Sequence, residues 1–90
     1  MLGLILYYDN DLGIHASALK HGVSAEDAIL AATEYIVVAE LAEHRELRLG
    51  FDSSGRLLET VVIVLGTGQR AVIHAMPARR KLLALLEGKK

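Results

Sequence analysis

The stretch RELRLGFDSSGRLLETVVIVLGTGQRAVIHAM, residues 45–76, decides the fold. In its first part Arg45, Leu47, Leu49 and Phe51 alternate with Glu46, Arg48 and Gly50, as in a half-buried strand. Asp52-Ser53-Ser54-Gly55 is hairpin-turn chemistry. Residues 56–65 form the most apolar strand, unbroken from Val61 to Leu65, which places it in the middle of a sheet. Gly66-Thr67-Gly68-Gln69 turns the chain once more, and residues 70–76 supply a further strand. Gly66 and Gly68 join two strands, so they lack the following helix that a dinucleotide fingerprint requires.

Working outward, residues 35–40 carry β-branched Ile36, Val37 and Val38 and read as a strand. Residues 41–46 fit either a helical turn or a loop. Upstream, Ser24 with an acidic residue three positions on marks a helix start, and residues 24–33 form a helix whose Ala28, Ile29, Ala31 and Ala32 let it lie close to a sheet. Residues 4–8 read as a short strand. Asp9, Asn10 and Asp11 supply a turn and an N-cap for a first helix over residues 11–20, with Leu12, Ala16 and Leu19 on one side and a stop at His21-Gly22. Downstream, Pro77 suits the first turn of a last helix that runs through Leu86 to a Gly88 stop. The expected order is β-α-α-β-β-β-β-α: an α+β domain with an antiparallel sheet, two N-terminal helices and a C-terminal helix, spanning residues 1–90 as a single unit.

The chain has 90 residues, 52% of them hydrophobic, and no cysteine, which excludes disulfide scaffolds, thiol nucleophiles and iron–sulfur clusters. The apolar start meets Asp9 after about eight residues without a preceding base, so it is expected to be neither a signal peptide nor a membrane span. Short domains bury little of their surface, so some aliphatic side chains, Leu2, Leu4, Leu6 and Leu41 among them, are expected under a partner chain. Residues 35–38, 61–65 and 82–86 are expected to fill a three-layer core.

The net charge of −1 divides into −6 over residues 1–65 and +5 over residues 66–90. Such asymmetry marks an anion-facing region, and a basic last helix also suits its own dipole. Arg79-Arg80-Lys81 opposes that dipole at the helix start. Either this is a solvated basic turn, or Arg79 or Arg80 joins the backbone N–H groups in holding phosphate. His15, His21, His44 and His74 have no metal-motif spacing, and no metal or other cofactor is expected. His74 shares a strand face with Val72 and Met76 if alternation holds, as a buried structural group or facing a cleft.

Three ordered stretches carry a resemblance. They are Lys20-His21-Gly22-Val23-Ser24 followed by Glu26, Asp27 and Ala28; Leu49-Gly50 with Gly55-Arg56-Leu57-Leu58 and Val61-Val62; and Ile73-His74-Ala75-Met76 with Ala78-Arg79-Arg80. Together they resemble the BrnT group of type II toxin–antitoxin toxins, within the wider RelE/ParE-like toxins. His74 stands at a serine-like position of that group and Met76 at its usual arginine. The resemblance implies a small cytoplasmic toxin that cuts RNA without metal, stops translation and is neutralised by a cognate antitoxin, as a homodimer or a toxin–antitoxin hetero-oligomer. Transferred residue by residue, it makes His74, Arg79, Arg80, Lys20 and His21 catalytic candidates and Arg48 and Arg56 substrate-binding ones.

The near-neutral charge departs from the basic character that phosphate binding favours, so a second reading stays open: a non-catalytic toxin-fold module that works through protein association, including ParE-like inhibition of a protein target. Clustering of Arg48, Arg56, Arg79, Arg80 and His74 in one concavity favours the enzyme, and dispersal favours the module.

Overall fold

A computed structural model describes residues 5–7 and 12–87. The turn and cap expected of Asp9, Asn10 and Asp11, the partner-facing side chains of Leu2, Leu4 and Leu6, and the Gly88 stop lie outside what it describes. The elements are β1 (Ile5–Tyr7), β2 (Leu12–His15), a 3-10 helix (Ala16–Leu19), α1 (Ala25–Thr33), β3 (Val37–Leu41), β4 (Arg45–Phe51), β5 (Leu57–Val64), β6 (Arg70–Pro77) and a second 3-10 helix (Arg80–Glu87). The strands form one sheet in the order β1-β2-β6-β5-β4-β3. The apolar strand β5 is interior, as its composition requires.

Two expectations change. The first helix is absent among the described residues: residues 12–15 are a strand, followed by a single 3-10 turn. Gly13 disfavours helix, and β6 offers backbone donors and acceptors that need partners. Leu12 and Ile14 then bury with a period of two. Because β2 runs parallel to β6 while the other strand pairs are antiparallel, the sheet is mixed. The domain is α+β, with one α-helix among the described residues.

The C-terminal segment also differs. Pro77 closes β6 instead of opening a helix, and the N–H of Ala78 extends the ladder to the Leu57 carbonyl at 3.0 Å. The helix beyond is 3-10 in form and has no buried residue.

The core lies between α1 and one face of the sheet. Leu58 and Val62 from β5, Val72 and Ala75 from β6, and Ile14 from β2 pack against Ala28, Ala31 and Ala32. Ser24 caps α1, its hydroxyl accepting from the N–H of Asp27 at 3.1 Å. The small residues of α1 let it lie almost on the backbone of β4. A Cβ on Gly50 would collide with the Ala31 carbonyl, so only glycine fits there. The expected three-layer core does not close: Tyr35, Ile36, Val38, Leu83 and Leu86 are all exposed; Leu41, expected under a partner chain and not in that core, is exposed as well.

The ambiguous segment after β3 is a hairpin loop, since Leu41 pairs with Arg45. Glu43 and His44 both take left-handed backbone, φ 64° and 63°, a conformation that costs ordinary residues roughly 1–2 kcal/mol each.

Replacing Gly50 with Ala should destabilise the fold by about 1–3 kcal/mol through overpacking, read from a urea unfolding midpoint. The reverse holds at the loop. Glu43→Asn combined with His44→Gly should add about 1 kcal/mol by relieving left-handed strain, and an unchanged midpoint would show that the loop carries none.

Candidate active site

Glu59 sits in the middle of the most apolar strand, with no exposed surface. A buried carboxylate is tolerable only when it is paired and hydrogen-bonded. Here the partners come from β6 and the turn after it. Nε2 of His74 lies 3.0 Å from Oε2 of Glu59. Arg79 donates three times to the same carboxylate: its backbone N–H and Nε reach Oε1 at 3.0 and 3.1 Å, and a terminal guanidinium nitrogen reaches Oε2 at 2.9 Å. Burial alone would raise the Glu59 carboxyl, but the hydrogen bonds from Arg79 and then His74 outweigh it and hold it below the usual carboxylate range. The same contacts raise the Arg79 guanidinium. The carboxylate is therefore ionised and can only accept hydrogen bonds.

A bulge aims His74 at this pair. Val61 pairs with His74 and Val62 with Val72, which leaves Ile73 as an extra residue in β6. The bulge breaks the alternation on which His74 would share a face with Val72. Val72 enters the core beneath α1, while Ile73 and His74 both line a groove on the opposite face of the sheet. Ser17, in the first 3-10 helix, steadies the bulge by donating its hydroxyl to the Ile73 carbonyl at 2.7 Å. The chain just beyond that helix brings in His21, whose ring stands edge-on to that of His74 with centroids 5.5 Å apart.

The groove encloses about 390 Å³ and has an apolar wall of Leu47, Val61 and Ile73. Its polar side holds Glu59, His74, Arg79, Arg45 and Lys81. Three basic side chains against one carboxylate leave it net positive. The side chain of His74 keeps 27% of its surface open and that of Arg79 keeps 50%, against 1% for Glu59. The arrangement offers an oriented imidazole, a second imidazole beside it and cations around an open space, the parts needed for proton transfer on an anionic substrate.

Of the sequence-derived candidates, the fold brings together His74 and Arg79, which line the groove, and His21, which meets the His74 ring without lining it. Arg79 does not do what was expected of it: its N–H and guanidinium hold the protein's own Glu59. Arg80 opens the second 3-10 helix and Lys20 follows the first; both are exposed and neither lines the groove. Arg48 is buried beneath the end of α1, giving one hydrogen bond to the Ala32 carbonyl at 2.8 Å and two to Glu46, with its guanidinium 4.7 Å from the Tyr35 ring centroid. Satisfying the end of a helix is structural work. Arg56 pairs with Asp52 at the β4–β5 turn, its Nε 3.1 Å from the carboxylate; the N–H groups of Arg56 and Ser54 help to lower the Asp52 carboxyl. The arginines are thus dispersed, and only one of the four lies beside His74.

Sequence reasoning overlooked Glu59, Lys81 and Arg45. The missed signal was a lone acid in the strand LLETVVIV, which demands a cation from elsewhere in the chain. Among the described residues, no cluster of three potential ligands can hold a metal ion, and no helix is long and apolar enough to cross a membrane. No family model, curated protein or solved structure matches the chain.

Removal of the Arg79 side chain tests the electrostatic account. Glu59 has a lowered folded-state pKa, so its contribution is full above the unfolded value of about 4.3 and is lost as pH falls through the folded value. Arg79→Ala leaves that carboxylate buried with fewer donors, so the variant should unfold at clearly lower urea at neutral pH. Its deficit against the unsubstituted protein should shrink below about pH 4, where Glu59 takes up a proton. A deficit that is constant with pH would mean that Arg79 contributes by packing alone.

Proposed function

We propose that the protein is a metal-independent ribonuclease of toxin type, which cleaves RNA in the groove beside His74. The observation that carries the reading is the ionised, buried Glu59 bonded to His74, with His21 alongside and Arg45 and Lys81 at the groove. In the proposed reaction the 2′-oxygen bonds to phosphorus as its proton passes to His74. The P–O5′ bond breaks as the departing oxygen takes a proton from the imidazolium form of His21. Arg45 and Lys81 offset the charge on the phosphorane, while Arg79 stays on Glu59. The need for a 2′-hydroxyl confines the reaction to RNA. The three-part resemblance to BrnT-type toxins supports the same chemistry and adds the expectation of a cytoplasmic role, translational arrest and a neutralising antitoxin.

The dispersal of Arg48, Arg56 and Arg80 favours a second reading, a toxin-fold module acting by protein association. The exposed apolar side chains at edge strand β3 fit it.

Incubation of the purified chain with single-stranded RNA separates the two. The expected products end in 2′,3′-cyclic phosphate and 5′-hydroxyl, and DNA of the same sequence should stay intact. His74→Ala should slow cleavage by about 10²- to 10⁴-fold, the usual contribution of general acid–base help. Arg56→Ala should leave the rate unchanged. No cleavage by the folded protein, or cleavage undiminished in His74→Ala, removes this assignment.

A further inference from the structure

We infer that Glu59 is a positioning residue that reserves Nε2 of His74 as a hydrogen-bond donor, so that Nδ1 is the ring nitrogen that exchanges protons with substrate. The part concerning substrate rests on the proposed RNA cleavage; the part concerning the imidazole stands on geometry alone. Three observations lead there. The carboxylate is fully buried and takes three hydrogen bonds from Arg79, which fix it in place. An ionised carboxylate has no hydrogen to give, so across the 3.0 Å contact the hydrogen must be on Nε2. In the neutral ring the other nitrogen is then an acceptor, and Nδ1 of His74 makes no hydrogen bond to any described residue.

The bulge gives this orientation its purpose. With both Ile73 and His74 turned to the groove face, the ring can rest one nitrogen on a strand-borne carboxylate and keep the other for an incoming group. The same division explains why Arg79 is retained on Glu59 and not offered to phosphate. Without its triple contact the carboxylate would keep only its bond to His74, and the ring would lose a fixed anchor.

The nitrogen that reacts can be identified without any assay of RNA cleavage. The folded, full-length protein is treated with iodoacetate at a pH where imidazole is neutral. The peptide containing His74 is isolated, and the carboxymethylhistidine isomer is assigned by NMR. In an unrestrained imidazole the less hindered Nε2 is favoured. At His74 the expected product is the Nδ1 isomer, preferred by roughly tenfold, the factor that one hydrogen bond of ordinary strength supports. Glu59→Gln should abolish that preference. Alkylation of the unsubstituted protein at Nε2, or no reaction at His74, overturns the inference without recourse to a variant. Retention of the Nδ1 preference in folded Glu59→Gln overturns the role of Glu59. If the Nδ1 preference holds but RNA is not cut, the positioning role stands and the ribonuclease reading fails.

Discussion

The structure depends on one buried negative charge. Glu59 occupies a fully buried position on the groove face of the most apolar strand, where an unpaired carboxylate would cost several kcal/mol. Its neutralisation commits the strand that follows: His74 lies 15 residues on in β6 and Arg79 lies 20 residues on, just past the end of that strand. Arg79 then draws the chain back across the sheet immediately after Pro77. That return places Lys81 at the groove and sets the path of the second 3-10 helix, which has no buried residue to hold it. One side chain thus determines both the course of the C-terminal segment and the aim of the imidazole.

Local patterns were legible wherever a single periodicity governed the burial. The strands β4, β5 and β6 fall where alternation and turn residues place them, and Ser24 begins α1. Residues 12–15 misled because Leu12, Ala16 and Leu19 fit a helical spacing equally well, and the deciding factor was a parallel neighbour some 58 residues away, Leu12 opposite Arg70. No local pattern carries that information. The bulge at Ile73 escaped for a similar reason: an extra residue in a strand leaves no mark when the residues around it are all compatible with extended backbone.

At the site, the histidine was legible as a titratable group in an apolar strand. The arginines were not, because charge by itself does not reveal a partner. Arg48, Arg56 and Arg79 are each satisfied by a different internal acceptor: a helix end with Glu46, a turn carboxylate, and a strand carboxylate. Of these three pairs, only Arg79 with Glu59 joins the positive part of the chain to the negative part. At the groove, beside the imidazoles, Lys81 is left for an external anion, together with Arg45, whose Nε is already engaged by the Ala42 carbonyl at 3.1 Å and whose guanidinium lies 4.0 Å from Glu43.

The parallel pairing of β2 with β6 also dictates an order of assembly. The strands β3 to β6 can zip together as successive hairpins, each closing a short loop, whereas β2 has no place to dock until β6 has been made. The Ser17 hydroxyl that steadies the bulge reaches across 56 residues, and His21 meets His74 by the same late closure. The two imidazoles are therefore held together only where β2 has docked on β6, a contact between residues more than fifty positions apart.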